Sequence, residues 1–191
     1  MRNMLKKIVT VFVALAMVLP TMVTKIAFAD GVTGNYMEEK FMREAIRQAK
    51  KAADIGEMPI GAVIVRNGKI VSRGYNKREK KKNALLHAEV DAINKACRRL
   101  GGWRLPECDM YVTLEPCPMC AGAILNARID NVYFGAFDKK SGCGGSVINL
   151  FDMKLCNYTV NVTGGIMEEK CSEIIKGFFR QLRNNKGNKT E

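Results

Sequence analysis

The sequence is short of histidine, of acidic residues and of long apolar runs. One histidine, His87, occurs among 191 residues, so any chemistry that needs an imidazole has a single place to happen. Nineteen acidic residues face 31 lysines and arginines, giving a net charge of +12. Such a balance fits a polyanionic partner, although a merely solvated basic surface would look the same. There is no internal repeat and no linker-like stretch, so the chain reads as one domain with room for a sizeable core. The longest apolar run, Ile8 to Leu19, ends at Pro20 and is short for a helix crossing roughly 30 Å of hydrocarbon, which argues against a stable membrane anchor. The cysteines are also sparse. Seven of them, at 97, 108, 117, 120, 143, 156 and 171, form an odd set without the density of a disulfide scaffold, and point to a reducing compartment or to metal binding.

The amino terminus pulls the other way. Arg2, Lys6 and Lys7 precede the apolar run and Ala27-Phe28-Ala29 follows it, the pattern of a secretory signal peptide. Residues 1–36 are therefore expected to be a signal-like extension that adds nothing to fold or activity. Translation from Met37 and a cytoplasmic enzyme are expected, with export through this segment as the alternative.

Past that segment the patterning is globular. Met42, Ile46, Ala49 and Ala53 recur at helical spacing within Glu38 to Ile55, with Gly56 just beyond, an amphipathic helix stopped by glycine. Ile60 to Val65, Asn67-Gly68, and Ile70 with Val71 read as a hairpin. Lys77 to Lys82 is nearly all basic without apolar periodicity, a loop or solvated face. Helical spacing resumes from His87 to Leu100, and Met110, Val112 and Leu114 alternate as a strand. A helix from Cys117, a strand from Asn131 to Phe134, a glycine-rich loop from Gly135 to Gly145 and a last helix from about Ile166 to Leu182 complete the order. Alternating strands and helices with a leading hairpin predict an α/β fold with three α/β/α layers and a mixed central sheet, in a domain spanning 37–183 followed by a basic tail, 184–191.

The chemistry concentrates in His87-Ala88-Glu89 and Pro116-Cys117-Pro118-Met119-Cys120. Two thiols at the start of a helix meet free N–H groups and the positive end of the helix dipole, which favour thiolates. One imidazole and two thiolates give Zn²⁺ three protein ligands and an open fourth position, the catalytic arrangement, whereas structural sites normally use four. No fourth ligand stands at a matching spacing; Cys143, in the glycine loop, is the cysteine that could approach. Glu89 is too close in sequence to His87 to share the metal as a helical pair, and is placed instead as general acid/base.

His-x-Glu followed by Pro-Cys-x-x-Cys resembles the signature of zinc-dependent nucleobase deaminases. Over essentially Met37 to Arg183 the chain is similar to the bacterial tRNA-specific adenosine deaminase family. The resemblance rests on Glu57-Met58-Pro59-Ile60-Gly61-Ala62-Val63, Gly74-Tyr75-Asn76, Thr113 to Ala123, Phe134 to Gly142 and Gly177-Phe178-Phe179-Arg180. It implies a cytidine deaminase-like fold with one Zn²⁺ per subunit on His87, Cys117 and Cys120, and Glu89 as proton shuttle. It further implies that the substrate is the wobble adenosine of a tRNA anticodon stem-loop and that the enzyme is a homodimer. Asn76 is implied to hydrogen-bond the flipped base, Asp138 and its loop to hold neighbouring nucleotides, and Phe178, Phe179 and Arg180 to face the RNA from the last helix. The sequence departs from the usual pattern at Leu85-Leu86, where small residues are common. Two rivals remain at this point: a deaminase of a free base or nucleotide such as guanine or cytosine, and a non-catalytic zinc-stabilised RNA-binding module.

Overall fold

A computed structural model of the chain describes residues 36–153 and 158–187; residues 1–35 of the signal-like extension and the end of the basic tail lie outside the described residues. The first helix, α1, covers residues 36–54. Phe41, Met42, Ala45, Ala49 and Ala52 are its buried stripe, spaced to fall on one face. It stops where Gly56 takes φ +80, a conformation that glycine reaches without strain.

Next come β1 (Gly61–Arg66) and β2 (Lys69–Tyr75), an antiparallel hairpin turning at Asn67 and Gly68, both with positive φ. After a single helical turn, α2 (Arg78–Lys81), the chain forms α3 (Ala88–Leu100), β3 (Cys108–Leu114), α4 (Pro118–Ala127), β4 (Asn131–Ala136), β5 (Asn161–Thr163) and α5 (Glu168–Gly187). The sheet order is β2-β1-β3-β4-β5. Its first three strands pair antiparallel and its last three parallel, so the sheet is mixed, as expected.

The two faces are covered by different helices. Ala62, Ile64, Met110, Val112, Val132 and Phe134 pack with Ala88, Ala92 and Ala96 of α3 and Ala121, Ile124 and Leu125 of α4. On the other face Phe41 of α1 meets Tyr111, which stacks on Tyr133. Cys171 of α5 presses on Gly135, where an added Cβ would lie 2.3 Å from its Sγ. The hairpin admits a helix on each side through glycine: a Cβ on Gly61 would fall 2.1 Å from the Ala45 carbonyl oxygen, and one on Gly74 2.0 Å from that of Ala88. Any side chain at either position would force a helix off the sheet. Three layers result.

Several local expectations need correction. Lys77–Lys82 is no plain loop, because α2 forms within it, burying nothing and ending at Lys82 with φ 47. Gly135 belongs to β4 and not to the loop after it, since the strand must carry a residue without a side chain past Cys171. The strand β5 was not anticipated; three residues at the sheet edge are too few to show a period. The last helix continues to Gly187, so the tail begins as helix; its run of Lys, Arg, Gln and Asn includes good helix formers, and cations suit a helix C-terminus.

Candidate metal centre and active site

The parallel strands β3 and β4 deliver their carboxyl ends to one edge of the sheet, the usual place for a site in an open α/β sheet. Cys117 caps α4 there, with Pro118 in the first turn, where the missing N–H costs nothing. His87 caps α3 in the same extended backbone conformation. Two helix N-termini thus converge. His87 Nδ1 lies 3.7 Å from Cys117 Sγ and 3.5 Å from Cys120 Sγ, and the three ligand atoms lie within 4.8 Å of one another. Zinc bonds of about 2.3 Å to sulfur and about 2.0 Å to nitrogen, at the tetrahedral angle, separate S from N by about 3.5 Å. The spacing therefore suits one tetrahedral ion without rearrangement.

The three groups share their protons unequally. Cys117 is brought down to about 4, first by the hydrogen bond from the Cys120 thiol and then by His87. Cys120 is pushed up by the same contact and by burial, and His87 is raised chiefly by Cys117, with burial and, less strongly, Arg78 opposing. Loading a metal here must release protons.

Glu89 sits in the first turn of α3, 3% exposed. Burial raises its pKa, with the negative Cys117 adding to the effect. Its Oε2 is buried without a hydrogen-bond partner, a state costing about 1–3 kcal/mol unless a water or substrate atom fills it. An unsatisfied carboxylate oxygen beside a ligand triad has the form of a waiting general base. Asp91, also in the first turn, has its charge occupied by Lys77 and Lys95 at 2.8 and 2.7 Å.

Asn76 is buried, and its Oδ1 accepts the N–H of Ala88 at 3.0 Å, leaving the amide nitrogen as its remaining polar group. From Asn76 the chain makes a closed excursion that carries α2 and returns to His87. Its feet are joined by Lys77 N–H to the Leu86 carbonyl at 3.1 Å. Its far side is tied to the buried Glu57, whose Oε1 accepts the Lys80 N–H at 2.7 Å. Leu85 stands at the neck, 59% exposed.

Asp138 follows β4. Its carboxylate folds its own loop, accepting the N–H groups of Lys140 and Ser141 and the Ser141 hydroxyl. Phe137 beside it meets Phe134 edge-on. Cys143 approaches the metal corner through its backbone, donating to the Pro116 carbonyl at 2.9 Å, and lies outside the group of three ligands. On α5, Phe178 is half-buried while Phe179 and Arg180 are exposed. Phe179 and Arg180 line a cleft of about 550 Å³ with Lys140, Lys176 and Arg183, and Phe179 also lines one of about 340 Å³ with Phe137, Asp138 and Ser141. The structure thus gathers His87, Glu89, Cys117, Cys120 and Asn76 into one corner, and sets Asp138, Phe179 and Arg180 around a second, more open rim.

Two residues escaped the sequence reading. Glu115, between β3 and Cys117, is 2% exposed and accepts the backbone N–H groups of Asp138, Gly144 and Ser146. Glu57 tethers α2. Each stands inside one of the segments that carry the family resemblance, yet its partners are backbone amides, which leave no mark in a sequence.

A profile of MafB19-like deaminases matches residues 37–183. A tRNA-specific adenosine deaminase of Bacillus subtilis strain 168 is 49% identical over 149 residues, covering 78% of this chain and 92% of its own. The enzyme of that name from Rickettsia bellii is 46% identical, covering 74% of this chain and 99% of its own. The chain belongs to the tRNA-specific adenosine deaminase family. Its fold agrees: a solved structure from work on A-to-I editing by tRNA:A34 deaminases at the wobble position of transfer RNA superposes with a TM-score of 0.69 at 41% identity, covering 71% of this chain and 98% of that one. The deaminase resemblance read from the motifs is thereby established, together with the cytidine deaminase-like α/β fold. Membership also disposes of the non-catalytic module, and the protein is an enzyme.

Proposed function

We propose that the protein hydrolyses adenosine to inosine and ammonia at the wobble position of a tRNA anticodon loop, using Zn²⁺ held by His87, Cys117 and Cys120. The observation that carries this reading is the tetrahedral spacing of those three atoms beside a buried carboxylate oxygen without a partner, in a chain about half identical to enzymes named for that reaction. Bound zinc supplies a Lewis acid that brings the pKa of water to about 7. Glu89 takes one proton from the attacking water and delivers it to the ring nitrogen, then takes the second from the new C6 hydroxyl and delivers it to the amine, so that ammonia leaves as the C6 carbonyl forms. Asn76 presents its amide N–H to the base while its oxygen stays fixed on Ala88. An unpaired loop lets the base be splayed out cheaply.

Asp138 and its loop hold the nucleotides beside the target, and Phe178, Phe179 and Arg180 face RNA from α5. The active form is a homodimer and works in the cytoplasm, where tRNA is found and thiols stay reduced; the six described cysteines are all free. Among the described residues no helix is long and apolar enough to cross a membrane.

The test is inosine formation on an anticodon stem-loop, run beside free adenine, guanine and cytosine. Turnover of the stem-loop well above that of the free bases is expected, and faster turnover of a free base would overturn the reading.

A further inference from the structure

Glu115 takes no part in the deamination described above, yet it is buried and its carboxylate is fully engaged with backbone amides. Its side chain leaves the turn between β3 and Cys117 and enters the loop that follows β4. Oε2 accepts the Asp138 N–H at 2.9 Å, and Oε1 accepts those of Gly144 and Ser146 at 2.8 and 3.0 Å. Hydrogen bonds to an ionised acceptor are the strong kind, and three of them bind both ends of one loop to a single side chain. Main-chain contacts run parallel to it, from Glu115 N–H to the Ala136 carbonyl and from Cys143 N–H to that of Pro116, each at 2.9 Å. The loop closes tightly around the carboxylate: a Cβ on Gly142 would lie 2.3 Å from Oε2 and 2.5 Å from the Asp138 carbonyl oxygen. The same loop carries Phe137, Asp138 and Ser141, which with Phe179 line the cleft of about 340 Å³ between loop and α5.

We infer that Glu115 is a positioning residue that sets the substrate-holding loop at a fixed height above the metal ligands. This rests on the tRNA deaminase reading. Pro116 and Cys117 follow Glu115 directly, so one short stretch of backbone holds the metal at one end and the recognition loop at the other. The distance between the reacting base and the clamps on its neighbours is then a property of residues 115–117 and not of the loop's own sequence. A loosened loop must be ordered by the RNA itself on binding, which costs affinity, and this is why a rigid coupling matters here.

Two substitutions break the contact from opposite sides. Glu115→Gln keeps the shape and an acceptor for Gly144 and Ser146, but turns an N–H₂ donor toward the Asp138 N–H. Gly142→Ala pushes a methyl group into the carboxylate. Each is expected to raise KM for the stem-loop about tenfold or more, with kcat reduced by much less and the metal content unchanged. In the double variant the effects should fail to multiply, because both remove one interaction. Hydrogen exchange on the free enzyme supplies a readout apart from activity: the amide of Asp138 loses most protection in Glu115→Gln and those of Gly144 and Ser146 lose less, while those of Ala121 and Ile124 in α4 keep theirs.

KM within twofold of wild type in both variants, parallel losses of metal, kcat and KM, or independent multiplication of the two effects would each overturn the inference. Should Glu115→Gln fail to fold, Gly142→Ala and its exchange pattern decide alone. A wild-type protein that makes no inosine on the stem-loop defeats the functional reading instead, and the exchange experiment still reports on the loop.

Discussion

At the metal corner, the three ligands and Glu89 are all fixed at the start of a helix. His87 and Cys117 cap α3 and α4, and Cys120 and Glu89 follow within one turn. Around the rim, Asp138 stands on a loop shaped by Glu115, Phe179 and Arg180 are exposed on α5, and the lysines of α2 ride on an excursion tied down by Glu57. The corner gains its accuracy from short-range backbone geometry, the rim from buried carboxylates that reach across the chain to hold amides. Damage to the first should abolish a step outright, whereas damage to the second should be graded and fall mainly on binding.

The sharpest way to break that contrast is to remove a corner ligand. His87→Ala should lose both the metal and all inosine formation, while Cys143→Ser, a change at the buried cysteine within the loop, should keep a full metal complement by elemental analysis. A metal-replete His87→Ala protein would mean that the ion sits elsewhere. Glu89→Gln comes next: turnover should fall about 10²- to 10⁴-fold or more with metal retained and the melting temperature not lowered, because the change neutralises a buried oxygen that has no partner. Activity within a few-fold of wild type would transfer the proton work to another group.

The rim should answer more gently. Base stacking on an aromatic side chain is worth about 1–3 kcal/mol, so Phe179→Ala should weaken stem-loop binding by roughly fivefold to a hundredfold, with single-turnover rate at saturating RNA little changed. A loss of rate at saturation would place Phe179 in the corner. Smallest is the joint change of Lys80, Lys81 and Lys82 to Ala. All three are exposed, and for each phosphate that a lysine ceases to neutralise, the slope of log K against log salt should become shallower by about 0.7–0.9. An unchanged slope would make that stretch a solvated face.

How far each region was legible in the sequence follows from the same contrast. The ligands and Glu89 stand in short runs whose residue types are themselves the chemistry, and α3 announces itself by a glycine stop and apolar spacing, so a candidate site and the layered fold could both be read. The rim could not. Glu115 finds its amides 23, 29 and 31 residues ahead, and a backbone N–H has no letter in the sequence. The turn α2 buries no side chain and so shows no period, and Gly135 looked like loop because the pressure that makes it glycine comes from Cys171, far along the chain. Asp138 was placed by resemblance as a nucleotide contact; its immediate physical work is to accept hydrogen bonds from its own loop, which hold its pKa down against the effect of burial.

The closed excursion between Asn76 and His87 has an evolutionary consequence. Because its feet are pinned to each other through Lys77 and Leu86, and to α3 through Asn76 and Ala88, what lies between them behaves as a cassette. Its length and charge can drift without displacing the imidazole it leads into. Substitutions confined to this segment are therefore expected to leave the backbone that carries the imidazole in place.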